Sequence, residues 1–333
     1  MKGILERLTS NRFLGILVGA GITAVIQSSS ATTVMVVGFV NSGMMTLKQA
    51  VWIIMGANIG TTITGQLIAL DVGAVAPLFA FVGVAMVVFL KKPQIHHYGN
   101  ILAGLGVLFI GMEMMGSAME PLREWPAFVN LVSTFSNPVV GILAGAAFTA
   151  LIQSSSASVG ILQALANSGV IGLPSAVFVL FGQNIGTCIT AVLAAIGTSR
   201  NAKRATIIHL MFNVIGTCIF TILFLLFPIA HVIDGSLVLS GGLGQAISNL
   251  MPTSHAGQIA LVHTSFNIIT TIILLPLGNY LAKAAVKILP DRPATTTSSS
   301  IWSTSPPSRS AARTAAWACP PSMWTRCSMS CAA

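Results

Sequence analysis

The chain has 333 residues, of which 54% are hydrophobic and 7% charged. A soluble domain carries about 25% charged residues, so the composition excludes a soluble globular fold and points to a polytopic membrane protein rather than one with a single anchor. The net charge of +9 does not signal nucleic-acid binding, because Lys and Arg stand mainly at the ends of apolar runs, where they set topology.

Met1 to Arg12 is basic and polar and leads into an apolar run with no small-residue cleavage site, which predicts no cleaved signal peptide. An apolar unit then covers Phe13 to Met45, with Gln27-Ser28-Ser29-Ser30 in its middle. Helices are expected over about 47–70, 73–90 and 98–118. A second interrupted unit covers about 138–166 around Gln153-Ser154-Ser155-Ser156, and helices follow near 173–197, 205–230 and 257–286. Segment 235–256 is Gly- and Ser-rich and reads as a loop or a short surface helix. From Ala294 onward the chain is Ser, Thr, Pro, Ala and Arg with no acidic residue and no periodicity, which reads as disorder. Its three Trp and three of the five Cys are foreign to such tails and suggest a frameshifted end. Cys188 and Cys218 stand alone in apolar segments, so neither a disulfide framework nor a metal site is expected.

The two interrupted units are copies of each other. Gly15–Thr64 and Gly141–Thr190 align without a gap, and about half of the positions are identical. The identities gather at Gln-Ser-Ser-Ser-Ala, at Asn41-Ser42-Gly43 with Asn167-Ser168-Gly169, and at Asn58-Ile59-Gly60-Thr61 with Asn184-Ile185-Gly186-Thr187. Apolar positions have drifted while polar ones are retained, so the polar groups are used. Each flank of the polar tip holds about 14 apolar residues, roughly 21 Å of helix, short of a ~30 Å hydrocarbon core. Two short flanks around a polar tip fit a re-entrant hairpin, whose irregular backbone must be satisfied by protein or by a water-filled cavity. Lys2, Arg7 and Arg12 precede the first unit and Lys48 follows it, so the positive-inside rule puts both ends in the cytoplasm. Continuing the count lands Lys91-Lys92, Arg200, Lys203, Arg204, Lys283, Lys287 and Arg292 inside as well. The two units then enter from opposite faces. The expected fold is an all-α polytopic membrane protein built as an inverted repeat, each half with a re-entrant helical hairpin plus transmembrane helices. Residues 1–135 form repeat one, 136–290 repeat two and 291–333 the tail, with both termini cytoplasmic.

A tip of Gln and three Ser offers a carboxamide, hydroxyls and the free N–H groups at the start of the returning helix, which favour an anion. Two tips meeting would surround a small oxyanion with donors. Ser, Gln and Thr oxygens also suit Na⁺, and Thr62, Thr64 and Thr190 add hydroxyls nearby. No Lys or Arg stands near either tip, so a multiply charged anion there needs co-bound cations. The bland reading of small and hydroxyl residues in membrane helices is close packing or bonding to their own backbone. The doubled motif with doubled Asn-Ile-Gly-Thr outweighs it, whereas Asn-Ser-Gly reads as the turn closing each unit. Glu113 is the one acidic residue well inside an expected span, and pairing with a polar neighbour or a place near the span's end is favoured over a proton relay. His209 with Asn213 and His263 with Asn267 share helix faces at i and i+4, and interhelical hydrogen bonding is favoured over ligand contact.

Gln27-Ser-Ser-Ser-Ala-Thr-Thr33, its copy at 153, the two Asn-Ile-Gly-Thr segments and the two His-x-x-Phe-Asn segments resemble the type II sodium–phosphate cotransporters, particularly the bacterial members, over about residues 4–290. The resemblance implies sodium-driven phosphate uptake through the cell inner membrane, not an enzyme, with sodium as coupling ion and no organic cofactor. It implies that Gln27, Ser28, Ser29 and Ser30 with Gln153, Ser154, Ser155 and Ser156 hold phosphate. Gln153, Ser154, Thr187 and Thr190 are the better candidates for a sodium site, Asn58 and Thr61 their counterparts, and Asn184, Thr62, Thr64, Asn213 and Asn267 support them. A full helix precedes the second repeat and nothing equivalent precedes the first, so the sequence reads as truncated at both ends relative to that family. A homo-oligomer stays open. So do two other functions: carriage of another oxyanion such as sulfate, since hydroxyl and N–H donors bind any tetrahedral anion, and an intramembrane serine hydrolase pairing a Ser with His209. The second is disfavoured, because equivalent Ser in two copies suit binding and no Gly-flanked nucleophile turn is present.

Overall fold

A computed structural model of the chain describes Thr9 and residues 11–70, 73–226 and 254–291. Residues 1–290 form one compact unit. The expectations for 235–253 and for the tail from Ala294 lie outside the described residues. Among the described residues there is no strand, and five helices are long and apolar enough to cross a membrane.

The first apolar unit is a pair of helices, α1 (Arg12–Ile26) and α2 (Ser29–Asn41), separated only by Gln27 and Ser28. They have 15 and 13 residues. At 1.5 Å per residue both fall short of a ~30 Å hydrocarbon core. The chain turns at Ser42–Gly43, where Gly43 takes φ +70°, a value open to glycine at no steric cost. Thr46 and Gln49 then form a capping box that starts α3 (Leu47–Ile68). α3 runs parallel to α1: Gly19 lies on Ile53, and Gly60 on Ala20 and Thr23. α2 runs back along it, with Val36, Val37 and Val40 packed on Ala50, Ile53 and Ile54.

Next come α4 (Ala76–Phe89), α5 (Pro93–Met119) and the short α6 (Pro126–Ser133). α4 and α5 pack mainly on each other and leave Phe81, Val88, Ile101 and Val107 exposed, as suits an apolar surrounding. The stretch 119–137, unassigned from sequence, holds α6, and the chain bends by 111° on entering α7 (Pro138–Ile152). α7, α8 (Ser155–Asn167) and α9 (Leu173–Gly186) then repeat the packing of α1, α2 and α3, residue for residue. Gly56 meets the Ile16 carbonyl and Gly182 the Ile142 carbonyl, the second contact being the first shifted by 126 residues in sequence. A Cβ at either glycine would collide with backbone, so the close approach of the two helices depends on its absence. One difference separates the copies. α3 runs unbroken through Thr61, whereas the second copy is interrupted at Thr187 and resumes as α10 (Cys188–Ala194).

α11 (Arg200–Leu226), α12 (His255–Leu274) and α13 (Gly278–Ile288) complete the unit. The single helix expected over 257–286 is two. Pro276 lacks an N–H and clashes with the preceding turn, so α12 stops at Leu274, and Gly278 then admits the Trp52 ring against the start of α13. The core between the second hairpin and the last helices is aromatic, with Phe181 stacked on Phe266 and edge-on to Phe220.

The two ends of α3 have different neighbours. At its start, Leu47 and Lys48 line a cleft of about 530 Å³ with Asn201, Asn279 and Lys283, and Asn41 Oδ1 accepts the Ser199 N–H at 2.8 Å. At its finish, Ile68 to Leu70 line a cleft of about 620 Å³ with Glu113, Asn167, Ser254 and Ala256. There Asn167 Oδ1 accepts the Ala256 N–H at 2.9 Å. Equivalent asparagines thus close the two hairpins at opposite ends of α3, each tying down the start of α11 or α12. Both were expected only as turn formers.

Candidate functional site

The sequence reason for a tip at Gln-Ser is local. α1 and α7 each end in a glutamine at φ 58°, Gln27 and Gln153, the only non-glycine residues at positive φ among those described. Such a conformation costs on the order of 1–3 kcal/mol and persists only when the surroundings enforce it. The next residue caps the returning helix. Ser28 Oγ accepts the Ala31 N–H at 3.2 Å, and Ser154 Oγ accepts that of Ala157 at 3.3 Å. The first two N–H groups of α2, on Ser29 and Ser30, and of α8, on Ser155 and Ser156, have no acceptor within their own helices. They are placed to face an anion.

The hydroxyls above the tips join the two copies. Thr64 donates to Gln27 Oε1 at 2.7 Å, and Ser156 of the other copy donates to Thr64 Oγ1 at 3.3 Å. The mirror contact is present, with Thr190 donating to Ser30 Oγ at 3.1 Å. Ser30 corresponds to Ser156 and Thr64 to Thr190, so each hairpin tip meets the other copy's threonine. The two contacts are reciprocal between equivalent residues. The equivalence is not complete. Gln27 also donates to the Ala24 carbonyl and is half-buried, while Gln153 is exposed and Thr190 turns to the Thr187 carbonyl.

Other candidate residues sit differently. Thr61, Thr62 and Thr187 direct their hydroxyls at carbonyls of their own helices. Asn58 and Asn184 give their amide N–H groups to Ile54 and Leu180. Asn213 donates to Asn58 Oδ1 at 3.5 Å, and His263 Nε2 lies 3.2 Å from Asn184 Oδ1. These are interhelical contacts between each Asn-Ile-Gly-Thr helix and a His-x-x-Phe-Asn helix. Asn267 bonds only the His263 carbonyl, and both ring nitrogens of the fully buried His209 lack a partner among the described residues. Glu113 is exposed in the cleft at the finish of α3, away from the tips. Among the buried polar residues that went unmarked in the sequence are Gln163, which donates to the Gly65 and Ala256 carbonyls, and Gln183, which donates to the Ser158 carbonyl. A polar residue inside an apolar run was their only signal.

Neither hairpin carries a Lys or Arg of its own, since none occurs between Arg12 and Lys48 or between Arg123 and Arg200; the Arg123 guanidinium lies against Gly169, at the closing turn of the second hairpin and not at its tip. The tips present dipoles and neutral oxygens: N–H groups of a kind that suits an anion, and hydroxyl and carboxamide oxygens of a kind that suits an alkali cation.

Sequence comparison gives the frame for this geometry. The profile of the family described as Na+/Pi-cotransporter matches residues 1–117 and 126–240. YqeW of Bacillus subtilis (strain 168), an uncharacterized protein, is 31% identical over 291 residues, 86% of this chain and 89% of that protein. YjbB of Escherichia coli (strain K12), whose given name proposes inorganic phosphate export, is 25% identical over 294 residues, and the chain spans 51% of its length. The human sodium-dependent phosphate transport protein 2B is 48% identical over 63 residues, 19% of this chain and 9% of that protein. No solved structure matches the chain.

Proposed function

The chain belongs to the Na+/Pi-cotransporter family, a family of transporters and not of enzymes, and from that premise we propose that it carries inorganic phosphate across the cell inner membrane together with sodium. Phosphate sits between the tips at Gln27–Ser30 and Gln153–Ser156, held by hydroxyls, the two carboxamides and the N–H groups opening α2 and α8. Sodium lies beside it on neutral oxygens, with Thr190 and Ser154 among the ligands. Without a fixed cation the anion is too costly to bury alone, and each ion lowers the cost of the other. The carrying observation is the reciprocal pair Ser30–Thr190 and Ser156–Thr64, which brings each tip to the other copy's threonine and links Gln27 to Ser156 through Thr64.

The closure of the two hairpins at opposite ends of α3 supports an inverted repeat, and with it alternating access around a shared site. Lys48 and Lys283 line one cleft with Asn201, beside Arg200 and Lys203 in sequence. That end is read as cytoplasmic by the positive-inside rule. Phosphate moves inward when the sodium gradient points inward. The name of YjbB favours the opposite direction for that relative, and a symporter runs either way according to its gradients.

Radiolabelled phosphate flux into proteoliposomes tests the reading. Flux is expected with external sodium and is lost when potassium or choline replaces it, and reversing the gradient reverses it. Equal flux in all three salts refutes sodium coupling, and equal carriage of sulfate refutes the cargo.

A further inference from the structure

The two hairpins differ one turn below their tips. In the first, Thr23 on α1 donates to Thr32 on α2 at 3.0 Å, and this bond closes the space between the hairpin's arms. Their counterparts are Thr149 on α7 and Ser158 on α8. Both are 0% exposed, yet neither hydroxyl has a partner among the described residues. A third group is present here. Gln183 on α9, 2% exposed, stands where the first copy has Ala57, and its Nε2 donates to the Ser158 carbonyl at 3.0 Å. A carbonyl can only accept, so this bond fixes the carboxamide's orientation. Turning it over would set oxygen against oxygen. Gln183 Oε1 is therefore held as a bare acceptor, and it too lacks a partner.

We propose that Thr149, Ser158 and Gln183 form a sodium site inside the second hairpin, with no equivalent in the first. Three buried neutral oxygens left without a partner are costly. A hard alkali cation satisfies all three at once, because it takes hydroxyl and carboxamide oxygen without needing a proton. Thr149 lies in the last turn of α7, where the helix dipole is negative and favours a cation. The N-terminus of α8, a few residues further on, favours the anion. This ion would be separate from the sodium beside phosphate at Ser154 and Thr190: it and phosphate would lie on opposite sides of Gln153–Ser154, which separates the two helices. α7 and α9 are close-packed where Gly186 lies against the Thr149 side chain, and Gln183 precedes Gly186 by one turn of α9 with its amide on the Ser158 carbonyl. The choice of sodium over other hard cations rests on the sodium-coupled reading above. The site itself rests on the orphaned oxygens.

The test copies the first hairpin into the second with the double variant Ser158→Thr, Gln183→Ala. It is built to restore the hydroxyl–hydroxyl bond of the first hairpin, so it should fold. Thermal unfolding of purified full-length protein in detergent is followed against NaCl at constant ionic strength, with KCl and choline chloride in parallel. The unmodified chain should show a saturable rise in Tm with sodium alone, and the double variant should need at least tenfold more sodium for the same rise. The proposal is overturned if the double variant keeps the original sodium dependence, if potassium raises Tm equally, or if the unmodified chain shows no rise. Should phosphate flux prove sodium-independent while a sodium response tied to Gln183 persists, the transport reading falls and the site stands. A double variant that does not fold leaves the single variants Gln183→Ala and Thr149→Val to decide by the same titration.

Discussion

Gln27 and Gln153 carry two burdens, a strained backbone and a carboxamide at the tip. The burdens can be separated. Gln27→Ala and Gln153→Ala keep the backbone strain and lose the carboxamide, and each should abolish sodium-dependent phosphate uptake while membrane insertion is retained. Gln27→Gly should relieve the φ of 58° as well, so that variant should unfold at the same or a higher temperature and still be inactive. Uptake assays paired with Tm measurements distinguish the cases. Unchanged uptake in both alanine variants would remove the tips from the site. Ser28 and Ser154 act differently. Their hydroxyls are used as helix caps, so substitution by Ala should cost about 1 kcal/mol of local stability besides any loss of binding.

The helices explain why the duplicated segments retain glycine as well as polar residues. α1 against α3 and α7 against α9 approach so closely that backbone meets backbone, and Gly56 and Gly182 stand at those contacts. In membranes such packing replaces the hydrophobic driving force that water would supply. Gly56→Ala and Gly182→Ala should each lower stability by about 1–3 kcal/mol through overpacking. Gly104→Ala and Gly111→Ala on α5, where a Cβ would meet nothing within 4 Å, should leave the Tm unchanged. Thermal unfolding of the four variants gives the answer, and equal effects at all four would discredit the packing argument. The threonines of Asn-Ile-Gly-Thr, turned onto their own helix carbonyls, belong partly to this structural account. Only Thr64 and Thr190, three residues beyond, reach the opposite hairpin.

For the whole molecule the decisive question is inversion. Single cysteines at Ser42 and Ser168, in a background with the five native cysteines replaced, should react with an impermeant maleimide from opposite sides of the membrane. Labelling of both from one side would defeat the inverted repeat. The energetic sense of that arrangement is shared cost. Each sodium descending a tenfold gradient releases about 1.4 kcal/mol, and each net positive charge carried inward adds about 2.3 kcal/mol per 100 mV. The sequence by itself determined the membrane class, because 7% charged residues cannot cover a water-facing surface. It also determined the duplication and the helix breaks at Gln27–Ser28 and Gln153–Ser154, since polar residues interrupt a short apolar arm at the same place in each copy. It did not show the stop at Pro276 within a continuous apolar run, or α6 in a stretch without clear periodicity. Tertiary structure alone decided which hydroxyls meet, because Ser30 and Thr190 are 160 residues apart and only packing can bring them together. It alone set Gln163 and Gln183 apart from their apolar surroundings. A buried carboxamide acquires meaning from the carbonyl that fixes it and from the oxygen left bare, and both are properties of neighbouring helices.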